Sequence, residues 1–237
     1  RTFSRVMANG SQAVIAPSEK TKQALLQYGV IAPIYIVPTG LDLSEYDRKN
    51  LDENRVQSIR KELGFSQEDH IVVFVGRIAK EKAIEIPIEA ISKNADPHLH
   101  LVIVGGGTDM EYYQNLAEKY NVTDRVHFTG RIPKENIAYY YAAFDCFVSA
   151  SLSETQGMTY IEALASGLLV FGRRDEVLKE LVDEGRSGYY FDDANELSQK
   201  WDSFFSKSKE ERDALRDYCV SKTAPYTESM FAHKALS

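Results

Sequence analysis

The 237-residue sequence predicts an α/β fold built on a doubly wound parallel sheet, and two features of its pattern carry this prediction. From Ile71 onward, short apolar runs alternate with segments of helical spacing. The runs are apolar on both faces, as expected of strands that are buried between two layers of helices. In such a sheet every strand-to-helix loop lies at the same edge, and ligands bind there.

The segment ahead of this sheet has elements of its own. The pattern predicts a helix over Thr2 to Asn9, a strand over Ala13 to Ala16, a helix over Ser18 to Tyr28 and a strand over Ile34 to Val37. The Pro, Gly and charged residues of "PTGLDLSEYDRKN" then indicate a linker. A polar helix over Arg55 to Leu63 should complete this stretch, which we assign to residues 41–64.

The regular part of the chain supplies the sheet and its helices. Six apolar runs predict strands: "IVVFV", "LHLVIV", "RVHFT", "DCFVSA", "LLVFG" and "GYYF". Helical spacing between and after them predicts helices over Lys82 to Ser92, Met110 to Tyr120, Lys134 to Ala143, Gly157 to Ser166 and Glu176 to Glu184. The polar stretch from Asn195 onward should be helical, with Trp201 packed on the domain and the "FDD" before it capping a helix.

Composition excludes several classes of function. A net charge of −7 argues against a nucleic-acid partner, which would require a basic face. No apolar run approaches the roughly 18–20 residues of a membrane span. Cys146 and Cys219 have neither metal nor redox spacing, and so few cysteines make a disulfide framework unlikely, so we predict a reducing, cytoplasmic location.

The loops after the predicted strands carry glycines, basic residues and carboxylates. Arg77 and Lys82 lie in "VGRIAKEK" after the first strand, where a basic pair suits a diphosphate. Two solvated surface cations are the alternative. The "GGG" run after the second strand would let the backbone approach a ligand, or would simply form a tight turn. No acidic residue ends the third strand, which disfavours a dinucleotide dehydrogenase.

The loop "SLSETQG" leads into a helix that contains a second carboxylate. Glu154 precedes Gly157, and Glu162 stands in the apolar run that follows. An unpaired buried carboxylate costs several kcal/mol or becomes neutral, so we expect a polar group to meet Glu162. The helix N-terminus suits an anion, and Glu162 follows about 7.5 Å along the axis, a distance that suits a ribose. The alternative is a capping Glu154 and a Glu162 paired with a lysine.

Together these motifs resemble the retaining glycosyltransferases of family 4, which have the two-domain GT-B architecture with Rossmann-like domains. The resemblance rests on two glutamates separated by seven residues, "EALASG", "VGRIAKEK", "VIVGGG" and "VHFTGRIP", and runs from about Gln12 to the end. It implies that residues 65–205 are the donor-binding domain and residues 206–237 a helical tail. Residues 1–40 would be the remnant of an amino-terminal acceptor domain, and the chain a piece of a longer protein that is inactive alone.

The resemblance also implies roles for individual residues. Arg77 and Lys82 would bind the donor diphosphate and Glu154 the donor sugar, and these three form the predicted catalytic set. The predicted donor-binding set comprises Gly76, Gly106, Arg131, Ile132, Gln156, Gly157, Met158, Thr159 and Glu162, with Glu162 on the ribose and Arg131 and Ile132 beside the base. No metal and no cofactor are implied.

Departures from the family pattern narrow the function. Many relatives have a Pro in a G-x-P-V turn and a Gly-Gly after the fifth strand, where this chain has "GLLVFGRRDEVLKELVDEGRSGYYF". That version, with "VIAPSEKTKQALLQYG" and "VPTGLDL", looks most like bacterial α-glucosyl-diacylglycerol synthases. The implied activity is hexose transfer, from UDP-glucose to a lipid acceptor, with membrane contact only through the missing domain at the inner face. GDP-mannose or UDP-GlcNAc as donor, a soluble acceptor, and a non-catalytic nucleotide-sugar-binding module remain open alternatives.

Overall fold

The computed structural model describes residues 2–236, which contain two parallel sheets. In the small sheet, β1 (Val14–Ala16) pairs with β2 (Ile34–Ile36). The large sheet has the strand order β5-β4-β3-β6-β7-β8. Its strands are β3 (His70–Val75), β4 (Leu99–Val104), β5 (Val126–Gly130), β6 (Cys146–Ser149), β7 (Leu169–Arg173) and β8 (Gly188–Phe191).

Helices cover the two faces of the large sheet and form both ends of the described chain. They are α1 (Thr2–Asn9), α2 (Glu19–Gln27), α3 (Glu53–Glu62), α4 (Glu85–Lys93), α5 (Met110–Lys119), α6 (Lys134–Ala143), α7 (Met158–Ala165), α8 (Ala194–Phe205), α9 (Lys209–Asp213), α10 (Arg216–Ser221) and α11 (Glu228–Leu236). Ser18 caps α2 and Asp193 caps α8 through side-chain oxygens, as predicted. No helix between residues 2 and 236 has both the length and the apolar character to cross a bilayer.

The strand order confirms a doubly wound sheet. From β3 the chain moves outward through β4 to β5, and then returns to β6 on the other side of β3 before continuing to β7 and β8. The order therefore reverses between β3 and β6, and a crevice forms there at the carboxyl edge. Central strand residues such as Val72, Val73 and Phe147 have no exposed surface, and the predicted packing of Trp201 on the domain is confirmed.

Residues 41–64 pack on the large sheet. A 3₁₀ turn over Leu43–Tyr46 follows Asp42, whose carboxylate accepts from the amide of Ser44. Tyr46, together with Val56 and Ile59 of α3, belongs to the buried hydrophobic core. The stretch that composition indicated as a linker therefore contributes side chains to the core.

Two predicted helices are wrong in their extent. Residues 80–82 form a separate 3₁₀ turn, and Ala83 with a φ of 49° interrupts the chain, so that α4 begins only at Glu85. The helix predicted over Glu176 to Glu184 is reduced to one 3₁₀ turn, Glu176–Leu178. The Val182 amide still donates to the Leu178 carbonyl at 2.8 Å, as in a helix, but side chains take over at the carbonyls of Leu181 and Val182. The Ser187 hydroxyl donates to the carbonyl of Leu181 at 3.0 Å, and the Tyr190 hydroxyl lies 3.2 Å from that of Val182.

The amino edge of the sheet carries a group of histidines. His100 Nδ1 lies 3.1 Å from His127 Nε2, and both rings contact Phe65. Burial lowers the pKa of each of these two imidazoles. Burial alone would raise the pKa of the neighbouring Asp69, but hydrogen bonds from His98 and from Ser66 lower it to about 2. This group lies at the opposite end of the strands from the crevice.

Candidate functional site

The loops after β3 and β4 are joined to each other by backbone contacts. The Ile78 amide donates to the carbonyl of Gly106 at 3.1 Å, so the parallel pairing continues past the strands. A Cβ at Gly105 would lie 1.9 Å from the carbonyl oxygen of Gly76, and one at Gly107 would lie 1.9 Å from that of Ile78. Glycine is required here because two loops approach each other, which explains the "GGG" run before any ligand is considered.

Lys82 and Glu154 meet across the crevice. The Lys82 Nζ lies 2.6 Å from Glu154 Oε1, and only 21% and 16% of their side chains are exposed. Arg77 is in a different position, since 71% of its side chain is exposed and it pairs with Glu81 four residues along. Of the predicted catalytic set, two side chains are therefore in contact, and the third lies on the outer surface of the same loop.

The amino end of α7 lies at the same edge. Gly157 adopts a φ of 75° in the left-handed region, which lets the chain turn sharply into the helix. In the described part of the chain, the amides of Gly157, Met158 and Thr159 donate to no protein acceptor. Three amides that point out of a helix start, together with its dipole, form an arrangement that stabilises an anion.

Glu162 lies on the first turns of α7, partly buried. Its Oε2 accepts a hydrogen bond from the Tyr141 hydroxyl at 3.0 Å, and Tyr46 is a second tyrosine neighbour of the same carboxyl group. Burial raises the pKa of the Glu162 carboxyl group. No salt bridge joins it to a cation among residues 2–236. The polar group that the sequence led us to expect is thus a pair of tyrosines rather than a lysine.

The loop that carries Glu154 is held by the amino-terminal segment. Lys20 Nζ donates to the carbonyl of Leu152 at 2.8 Å and to Asp175 Oδ2 at 2.5 Å. The Gln156 amide group both accepts from the Thr39 amide at 2.8 Å and donates to the Thr39 carbonyl at 3.0 Å. The side chain of Gln156 is therefore engaged by backbone in this structure, which leaves its own backbone for contact with a ligand.

The predicted base-binding pair follows β5 at the far side of the crevice. Arg131 is exposed and runs alongside Gly106, where an added Cβ would lie 2.7 Å from its Cγ. Ile132 is half-buried against the core. Both residues lie at the carboxyl edge, beside the joined loops that contain Gly76 and Gly106.

The sequence interpretation missed the residues that support these groups. Lys20 and Thr39 lie more than a hundred positions from the loop they hold, and no local pattern marks them. Tyr141 did leave a signal, because a buried tyrosine in an apolar helical pattern needs a partner for its hydroxyl group. Between residues 2 and 236, no three His, Cys, Asp or Glu side chains are arranged to hold a metal ion. Metal-free binding of a ligand stays a prediction.

Comparison with known proteins then identifies the family. Residues 55–219 match the family described as glycosyl transferases group 1. The chain belongs to this family. The match extends from α3 through the whole large sheet to α10, and it includes every residue of the two predicted sets.

Two curated relatives of this glycosyltransferase family carry the same name. The alpha-monoglucosyldiacylglycerol synthase of Acholeplasma laidlawii is 28% identical over 220 residues, which are 92% of this chain and 55% of that protein. The synthase of the same name from Streptococcus pneumoniae is 33% identical over 181 residues, which are 75% of this chain and 41% of that protein. The chain thus spans about half the length of these relatives, on their carboxy-terminal side.

A solved structure shows the same fold. The crystal structure of Anabaena HepE in complex with UDP and glucose superimposes with a TM-score of 0.86 at 20% identity, and covers 98% of this chain and 64% of HepE. The α/β fold with helices on a parallel sheet is therefore that of the carboxy-terminal domain of a GT-B glycosyltransferase, as the sequence predicted.

Proposed function

We propose that this chain is the donor-binding part of a retaining glycosyltransferase, which transfers glucose from UDP-glucose to a diacylglycerol-type lipid. Family membership and the names of the two bacterial relatives support the reaction class and the lipid acceptor. The single observation that carries the donor assignment is the meeting of Lys82, Glu154 and the α7 start at the switch point of the sheet.

Each group has a role that its chemistry suits. The amides at the start of α7, with Lys82 and Arg77, bind the diphosphate and stabilise its charge as it leaves. Lys82 does so after exchanging Glu154 for a phosphate oxygen. Glu154 then accepts from hydroxyl groups of the sugar, and Glu162 accepts from the ribose. The base lies beside Arg131 and Ile132. Two cations and a helix terminus offset the charge of the diphosphate without a metal ion.

Calorimetric titration of the chain with UDP, GDP and ADP tests the donor assignment. We expect UDP to bind most tightly, and unchanged binding after EDTA is added. Preference for GDP would replace the uridine donor by a guanosine one, and absence of binding by all three would contradict the nucleotide-sugar site.

The chain alone is expected to bind UDP and to form no glycolipid. It spans about half of the relatives whose activity is named, and our proposal assigns the lipid-binding groups to the part of such a protein outside this match. Incubation with UDP-glucose and diacylglycerol vesicles, followed by lipid analysis, checks this. Glucolipid formed by the chain alone would contradict the proposal that the lipid-binding groups lie outside this chain.

A further inference from the structure

Two tyrosines fix the position of Glu162. The Tyr141 hydroxyl donates to Glu162 Oε2 at 3.0 Å, and the hydroxyl of Tyr46 is a second neighbour of the same carboxyl group. The two rings meet edge to face with centroids 6.0 Å apart. One tyrosine comes from α6 and the other from the 3₁₀ turn over Leu43–Tyr46, so separate elements converge on one carboxylate.

Both rings are held by the core. Tyr141 has no exposed surface, and its ring lies 6.0 Å from that of Phe147 on β6. Tyr46 is 5% exposed. A buried tyrosine ring has little rotational freedom, and its hydroxyl group points in a fixed direction. A hydroxyl group in such a place orients the carboxylate that accepts from it.

The tyrosines leave part of Glu162 available. An ionised carboxylate has about four acceptor positions, and the hydrogen bond from Tyr141 uses one of them. Hydroxyl donors also leave the negative charge in place, whereas a lysine would cancel it. The remaining positions can accept charge-assisted hydrogen bonds from a ligand that carries two adjacent hydroxyl groups. Glu162 itself is only partly buried, so such a ligand can reach it.

We propose that Tyr141 and Tyr46 are positioning residues that aim the Glu162 carboxylate at the vicinal diol of a ribonucleotide, and thereby select ribose over 2′-deoxyribose. This inference rests on the proposed function, since it deepens the role given there to Glu162. It assigns a specificity function to two residues that lie in the core and touch the ligand only through another side chain.

The charged groups around Glu162 give the inference a pH signature. Glu45 and Tyr46 face it from the 3₁₀ turn, and Lys134 and Tyr141 from α6. Burial raises the pKa of Glu162, and the two tyrosine hydroxyls act against that rise. Removing one hydroxyl group raises the pKa further, so the carboxyl group accepts a proton at higher pH and loses its affinity for the diol there.

The test compares Tyr141→Phe and Tyr46→Phe with a matched control. Tyr113→Phe removes a buried hydroxyl group that donates to Glu85 at 3.1 Å, outside both predicted residue sets. Each protein is titrated with UDP and with 2′-deoxy-UDP between pH 5.5 and 8. The phosphate groups of the ligand titrate in the same pH range with every variant. Their effect on affinity therefore cancels when the variants are compared.

We expect the unmodified protein to prefer UDP over 2′-deoxy-UDP by about 10-fold or more, as for a hydrogen bond to a charged group. Tyr141→Phe and Tyr46→Phe should each reduce that preference by about threefold or more, and should move the acid loss of UDP binding to higher pH. Tyr113→Phe should keep the original preference and pH profile.

The possible failures are distinct. If Glu162→Gln loses the preference while both tyrosine variants keep it, along with their pH profile, the positioning role is wrong and the proposed function stands. If the unmodified protein binds no nucleoside diphosphate, the proposed function itself is wrong. Melting curves show whether each variant folds, and if Tyr141→Phe does not, the ratio measured for Tyr46→Phe decides the inference.

Discussion

The ammonium group of Lys82 lies 2.6 Å from the carboxylate of Glu154. Both residues belong to the predicted catalytic set, and in this structure they neutralise each other. Under the proposed function, a diphosphate that binds at Lys82 competes with Glu154 for the ammonium group, and a released Glu154 carboxylate can accept from a sugar hydroxyl group. We therefore expect the pair to couple the binding of the phosphate to the release of the carboxylate.

Glu154→Gln should tighten the binding of UDP and weaken the advantage of UDP-glucose over UDP. The substitution frees Lys82 for the diphosphate. The binding free energy of UDP should improve by about 0.5–1 kcal/mol, because an ion pair between partly exposed side chains, which the diphosphate no longer has to break, is worth about that much. Titration with both ligands measures the two effects. Weaker UDP binding in this variant would mean that Glu154 holds Lys82 in its binding position instead of competing for it.

Arg77→Ala should weaken UDP binding by about 1.5–3 kcal/mol and leave uridine binding nearly unchanged, because the lost contact is charge-assisted and made to phosphate. Lys80→Ala is the matched control, since it removes one exposed positive charge from the same loop. Equal losses in the two variants, or equal losses for uridine and UDP, would support the alternative that Arg77 is a surface cation. The comparison is needed because Arg77 pairs with Glu81 in this structure, as a surface cation would.

Glu162→Gln should lower UDP affinity by about 1–3 kcal/mol and leave the protein as stable as before, or more stable. Burial raises the pKa of Glu162, so the folded protein keeps its proton to higher pH than the unfolded chain. Stability from this group is therefore present at low pH and is lost as pH rises through the folded pKa. In melting experiments, the stability of the variant relative to the unmodified protein should increase from pH 5 to pH 7.5.

A decrease of about 3–5 kcal/mol in the free energy of unfolding of the unliganded Glu162→Gln protein would contradict this interpretation. Such a loss is expected when a buried cation is left without its partner, and the structure pairs this carboxyl group with the Tyr141 hydroxyl. Melting with and without UDP separates a folding defect from a binding defect.

His127→Gln should reduce the sensitivity of the fold to mild acid. The pKa of His127 is lowered by burial, so as pH falls below about 6.5 the unfolded chain takes up a proton before the folded one does. Stability contributed by the neutral ring is thus lost in that range. Melting between pH 7.5 and 5.5 should show a smaller decrease for the variant, with UDP affinity at pH 7.5 unaltered because the ring lies at the other edge of the sheet.

Much of the fold could be predicted because burial of a parallel strand on both faces leaves an apolar run in the sequence. The runs "LHLVIV" and "GYYF" coincide with β4 and β8. The stretch after β7 was mispredicted for a physical reason: Leu178, Leu181 and Val182 are buried at helical spacing, yet the carbonyls of Leu181 and Val182 are bonded by the Ser187 and Tyr190 side chains instead of by helical amides. Such long-range replacement leaves no local pattern.

The candidate site was predictable to a smaller extent. Motif spacing brings Lys82, Glu154 and Glu162 to one edge, because the loops of a parallel sheet converge there. What each side chain contacts depends on elements distant in sequence, as with Tyr46 and Glu162. The "GGG" run shows a further limit, since a glycine needed for a ligand and a glycine needed for a neighbouring loop look alike in a sequence.

The contacts between Thr39 and Gln156 and between Lys20 and Leu152 have a practical meaning for protein engineering. A chimaera that exchanges only the "SLSETQG" loop with a relative would separate that loop from the residues it is fitted to. The exchangeable unit is the loop together with residues 17–39, although the two are far apart in the gene. A library that recombines these two segments as one block should yield more folded, UDP-binding proteins than one that shuffles them independently.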